Sequence, residues 1–131
     1  GNVLRTRIES ESYDTSYFDP RGDQELHFPI KGAPYLKLSA VAGTDGKSLS
    51  LFALNRDLKN GMTVTIDARG FGDLKIAEAT ELRHNDLKAH NSKGEPDKVA
   101  PKPLSGAAVK GRMVTLELKP ASWNVISCKV A

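Results

Sequence analysis

The sequence predicts an all-β fold, an antiparallel β-sandwich of jelly-roll or Greek-key type, on three observations. Several segments alternate apolar and polar residues with period two, the pattern of half-buried strands. Gly-bearing turns separate them, and no window sustains a helical period with caps at both ends. The stretch Asp86 to Pro103 carries Pro96, Pro101 and Pro103, each lacking a backbone donor and fixing φ, together with a freely rotating Gly94. It is therefore read as an extended crossing held by side chains, carrying the chain from one strand set to another.

The first predicted strand is Val3 to Glu9, followed after a long gap by Tyr35 to Gly43 and Ser48 to Asn55. Thr44-Asp45-Gly46-Lys47 joins the latter two as a hairpin, because Asp-Gly suits the positive φ values of a tight turn. Lys59-Asn60-Gly61 is a second such turn, leading into Gly61 to Ala68, where Met62, Val64, Ile66 and Ala68 alternate with Thr63, Thr65 and Asp67. Arg69-Gly70-Phe71-Gly72-Asp73 is a break with room for a bend before Leu74 to Leu82. Arg112 to Leu118 and Trp123 to Val130 complete the set. The expected core is Leu51, Val64, Ile66, Val114, Leu116, Ile126 and Cys128.

Ser12 to Ala33 does not fit. It holds Pro20, Gly22, Pro29 and Gly32 among Tyr13, Tyr17, Phe18, Leu26, Phe28 and Ile30. Unpatterned stretches of this length are unusual inside a compact domain. It is read as an irregular excursion that, with the N-terminal strand, forms a docking surface, since extended apolar patches mark interfaces.

At 131 residues the chain is expected to be a single domain, 1–131, with one core. Its charged and apolar fractions, 27% and 39%, are those of a folded soluble domain. The net charge of +3 is dispersed, with lysines set singly, which argues against nucleic-acid binding. No apolar run reaches the roughly 18 residues of a membrane helix, so no membrane partner is expected. The lone cysteine rules out an intrachain disulfide and leans towards a reducing, cytoplasmic setting. Cys128 alternates with Ile126 and Val130 and reads as a small core residue rather than a nucleophile.

The chemical constellations are missing. There is no GxSxG, HExxH, P-loop or CxxC. His27, His84 and His90 are scattered, and His84, Asp86 and His90 lack zinc-type spacing. Glu78 with Glu81, and Glu9 with Glu11, read as outward charges on strands rather than a glycosidase pair. Trp123, Tyr35, Phe52 and Phe71 could line a sugar platform, but a single Trp favours packing at a strand entry. Asn55-Arg56 closes an apolar strand, where the Asn can bond backbone groups and set the turn, and the Arg can hold a carboxylate. Asn91 is the residue expected to tether the crossing. No catalytic, cofactor-binding or metal residue is assigned, and no cofactor is expected.

In order, Pro34-Tyr35-Leu36, Leu51-Phe52-Ala53-Leu54-Asn55-Arg56, Asp86-Leu87-Lys88-Ala89-His90-Asn91, Pro96-Asp97-Lys98-Val99 with Pro101, and Leu118 to Ile126 resemble the C-terminal domain of glycoside hydrolase family 51 α-L-arabinofuranosidases. Val3-Leu4 and Tyr13-Asp14 resemble the segment that follows the family's catalytic barrel. Ser92 stands where the family usually has threonine, and the Asp19 to Gly32 stretch is longer than its norm. The resemblance implies a parent that is a retaining glycosidase acting on terminal non-reducing α-L-arabinofuranosyl groups of arabinan, arabinoxylan and related oligosaccharides. It would use two glutamates and no metal. Both belong to a preceding (β/α)8 barrel, and no position here matches either, so none is carried over. The family's sandwich packs on that barrel, a short segment before the barrel helps complete it, and members are often homo-oligomers. A structural accessory domain is thus the leading reading; the alternative is a free-standing sandwich binding a carbohydrate or a protein partner.

Overall fold

A computed structural model describes residues 1–19 and 26–131, with the backbone alone at 17–19, 26 and 27. Its strands are β1 (Asn2–Leu4), β2 (Ser12–Asp19), β3 (Leu26–Pro34), β4 (Leu36–Ala42), β5 (Ser48–Asn55), β6 (Met62–Asp67), β7 (Leu74–Leu82), β8 (Lys102–Pro103), β9 (Ala107–Lys110), β10 (Met113–Leu118) and β11 (Ser122–Val130), with no helix among the described residues. A six-stranded sheet of order β1-β4-β5-β11-β7-β8 faces a three-stranded sheet of order β6-β10-β9, and β2 and β3 form a ribbon of their own. Every pairing is antiparallel.

Period-two alternation builds the two layers. Along β5, Leu49, Leu51, Ala53 and Asn55 turn inward; along β11, Ser122, Asn124, Ile126 and Cys128 do. Val64 of β6 and Val114, Leu116 and Leu118 of β10 meet them from the other sheet in one continuous core. Each such aliphatic side chain contributes roughly 1.5–3 kcal/mol on burial. Six of the seven expected core residues are buried; Ile66 is half-buried and packs against the core edge.

The turns show where local chemistry suffices. Gly46, at φ 67°, closes the β4–β5 hairpin, and Asp45 accepts the Lys47 N–H at 2.9 Å. The Asn60-Gly61 turn is not a hairpin: β5 and β6 lie in different sheets, so it carries the chain across the sandwich. A turn signal fixes the local reversal but not which sheet receives the next strand.

Three other expectations are corrected. The strand predicted for Val3 to Glu9 stops at Leu4, and Arg5 to Glu11 continues without strand structure. The Asp86–Pro103 crossing returns to the sheet it left, where β8 pairs with β7, and the sheet change comes afterwards at β9. Within the Ser12–Ala33 excursion, β2 and β3 pair as an antiparallel ribbon. Its irregularity is a bulge: Tyr13 faces Ala33 and Thr15 faces Ile30, so Lys31 and Gly32 together oppose Asp14. Gly32 takes φ 63° and donates its N–H to Asp14 at 2.9 Å, while Lys31 Nζ reaches the other carboxylate oxygen at 3.0 Å. One extra residue shifts the alternation by one position, which hides a strand from a period-two reading. The Tyr17, Phe18 and Leu26 side chains, and Pro20 and Gly22, lie outside what is described.

Candidate functional site

Four polar side chains are buried at one end of the sandwich. Asn55 is completely enclosed; its Nδ2 donates to the carbonyls of Asn60 and Lys119, both at 3.0 Å, and its Oδ1 accepts the Asp57 N–H at 2.9 Å. It thereby ties the β5–β6 turn to the β10–β11 turn. Ser122 Oγ donates to Lys119 O at 2.7 Å, and Asn124 Nδ2 donates to Ser122 Oγ at 2.9 Å and Ala53 O at 3.2 Å. Glu81 is buried opposite Asn124 and receives Lys119 Nζ at 2.6 Å. The layer is a brace for chain reversals, because backbone groups leaving a sheet need partners. The turn-setting role expected of Asn55 is what its contacts show; the half-buried Arg56 donates its backbone N–H to Tyr35 O at 2.8 Å.

The carboxylates do not converge. Glu78 lies opposite Ser127 and is exposed, whereas Glu81 lies opposite Asn124 and points inward, so the two occupy opposite faces of β7. Glu9 pairs with Arg7 at 3.0 Å on the surface, and Glu11 is exposed. A pair working across a sugar must face one cleft.

His84 and His90 serve their own loop, and the His27 side chain lies outside what is described. His84 Nδ1 accepts the Asp86 N–H at 3.0 Å, and His90 Nδ1 lies 3.2 Å from Lys88 O. No cluster of three potential metal ligands occurs among the described residues. Asn91 is where the crossing was expected to be tethered: Nδ2 donates to Val99 O at 2.9 Å and Oδ1 accepts the Val99 N–H at 2.7 Å. The pair mimics a strand bridge where proline forbids one nearby, though Asn91 itself is exposed. Cys128 is buried, and burial pushes its thiol up from its ordinary pKa.

The four aromatics separate. Tyr35 stacks on Tyr13 at 4.6 Å, Phe71 packs at the core edge, and only Phe52 and Trp123 come together, at 6.4 Å with planes tilted 36°. Two surface features remain. One is a groove of ≈1090 Å³ between the Arg5–Glu11 segment, the inward face of β4 and β5, and β6. Strand β6 uses one edge on β10; the other borders this groove without a strand beside it among the described residues. The second feature is the outer face of the six-stranded sheet around Trp123. Sequence reasoning missed it, although the unbroken apolar run Leu51-Phe52-Ala53-Leu54 signals a strand apolar on both sides.

The described family of α-L-arabinofuranosidase C-terminal domains matches residues 1–122. The chain belongs to that family. An intracellular exo-α-(1→5)-L-arabinofuranosidase of Streptomyces lividans is 30% identical over 98% of this chain and 17% of its own length. That of Bacillus subtilis is 31% identical over 98% of this chain and 23% of its own. An α-L-arabinofuranosidase of Thermotoga maritima, solved with arabinose, superposes with a TM-score of 0.78 at 23% identity, over 98% of this chain and 26% of that one. The chain thus spans about a fifth of the curated relatives it matches.

Proposed function

We propose that this domain, residues 1–131, is the non-catalytic C-terminal sandwich of an enzyme that removes terminal non-reducing α-L-arabinofuranosyl groups from arabinan, arabinoxylan and related oligosaccharides. The observation that carries the reading is a family match over residues 1–122 in relatives of which the chain spans about a fifth. The remaining four-fifths of such a protein has room for a (β/α)8 barrel bearing the two glutamates. The sandwich stabilises that barrel. The groove beside β6, with its free strand edge, suits an extended segment of the parent added by backbone pairing.

The test compares this chain alone with the full-length protein on an aryl α-L-arabinofuranoside. Turnover is expected only from the full-length protein, because positioned carboxylates on both sides of the sugar supply the chemistry. Turnover by the pure chain, or a full-length protein with no arabinofuranosidase activity, overturns the reading. Light scattering of the full-length protein reports whether it is a homo-oligomer.

A further inference from the structure

The outward positions of a sandwich strand ordinarily face water and are polar. On the central strands of the six-stranded sheet they are not. Register sets Trp123 of β11 directly opposite Leu54 of β5 and Leu82 of β7, and sets Val125 opposite Phe52. Trp123 and Leu82 are 42% and 36% exposed; Phe52, Leu54 and Val125 are half-buried by their neighbours. Five apolar side chains therefore form one patch across three strands. Thr80 of β7 sits beside Val125, the next positions beyond are Ser50, Ser127 and Glu78, and Lys37 and Ser39 of β4 close the flank. An apolar centre with a polar rim is the anatomy of an interface, and Trp is the side chain that most often anchors one.

We propose that this outer face is the surface on which the parent enzyme's own catalytic domain sits; the proposal rests on the function proposed above. The occupant is argued from what the chain leaves out. The relatives are about five times longer, and this family is the C-terminal part, so the larger domain connects ahead of β1, a strand of this same sheet. Interfaces between domains of one chain bury roughly 600–1,500 Å² in total and are more polar than obligate ones. A five-residue apolar centre with a charged rim matches that class. A sugar platform fits less well, because the Phe52 and Trp123 rings are inclined 36° and offer no common plane.

Thiol labelling of the full-length enzyme tests the occupant. Leu82→Cys and Trp123→Cys place a thiol in the patch, and Lys110→Cys places one on the exposed edge of the other sheet; Cys128 is buried. Under native conditions the two patch thiols are expected to react with a maleimide about tenfold or more slowly than the Lys110→Cys thiol. The protection should be independent of protein concentration and of added arabino-oligosaccharide. Equal rates at all three positions overturn the proposal while leaving the full-length activity, and with it the proposed function, standing. Protection that vanishes on dilution to monomer assigns the face to a second copy, and protection that appears only with oligosaccharide assigns it to sugar. Either outcome overturns docking of the parent's catalytic domain.

Discussion

Strand β11 has two faces that depart from simple alternation in opposite senses. Its inner face carries Ser122, Asn124, Ile126 and Cys128, all buried, so two of the four are polar. Its outer face carries Trp123, Val125, Ser127 and Lys129, so its two leading residues are apolar where water is the expected neighbour. Both departures lie at the N-terminal end of the strand. Inside, Ser122 satisfies the Lys119 carbonyl in the turn that enters the strand, and Asn124 links Ser122 Oγ to the Ala53 carbonyl of β5. Outside, the apolar residues await a partner. Residues that violate a pattern locate the demands the pattern alone does not meet.

The largest expected effect contrasts neighbouring residues on these faces. Ile126→Ala opens a cavity in a fully buried site and should cost about 3 kcal/mol. Val125→Thr, on the half-buried outer face, should cost under about 1 kcal/mol. Urea unfolding of both variants decides it, and comparable losses would show that the outer face is as much core as the inner one.

Asn55→Ala probes the polar half of the inner face. It removes three hydrogen bonds and takes the partner from the Asn60 carbonyl and the Asp57 N–H, while the Lys119 carbonyl keeps Ser122 Oγ, so a loss of about 2 kcal/mol is expected. A loss below about 0.5 kcal/mol would mean that the brace is ornamental. Asn91 makes a similar two-point contact in the open, where water can replace it, so Asn91→Ala should cost about 1 kcal/mol or less and the exposed Lys93→Ala nothing measurable. If Asn91→Ala cost as much as Asn55→Ala, burial would not be what separates the two.

Both asparagines were legible in the sequence, because each sits where a strand or crossing must end without a regular ladder. The main strands were legible for the same physical reason that they form: one face meets oil and the other water. The ribbon was not, because Lys31 and Gly32 opposing one residue broke the period. The two-residue β8 and four-residue β9 were too short to carry a period at all. Sheet membership was also out of reach, since the Asn60-Gly61 turn looks alike whether the next strand pairs or crosses. Alternation along Leu74 to Leu82 points Glu81 outward; its inward direction follows from the bulge between Ser127 and Cys128, which no local pattern announces.

Ala121 offers a smaller test of the same turn that Asn55 braces. It holds φ 48°, a left-handed conformation unfavourable for a residue with a Cβ, and its N–H donates to Asp57 O at 2.8 Å. Ala121→Gly should relieve that strain while adding freedom to the unfolded chain, for a net gain of about 0.5 kcal/mol. A loss of stability would show that the methyl group has packing value exceeding the strain.

The smallest effects are those of surface charge, and their sign is fixed. The Gly32 N–H, aided by Lys31, holds Asp14 below the usual carboxylate range; the Lys59 N–H, with Asn60, does so for Asp57; the Arg69 guanidinium, with its own N–H, does so for Asp67. A carboxylate depressed on folding contributes stability that is present above its unfolded value, about 3.9, and is lost as pH falls through the lower folded value. Stability should therefore decline below about pH 4, and only modestly, since Asp14 and Asp67 are exposed, Asp57 is half-buried at the surface, and solvent screens all three. Cys128 acts at the other end: its thiol is raised by burial, so its contribution is full below the ordinary thiol value of about 8.5 and declines above it. Urea midpoints measured from pH 3 to 10 should trace both limbs, with Asp57→Asn flattening part of the acid one and Cys128→Ala the alkaline one. Stability that rises on acidification from pH 5 to 3 would contradict the carboxylate assignments. An alkaline decline that survives Cys128→Ala would move its origin away from the inner face of β11.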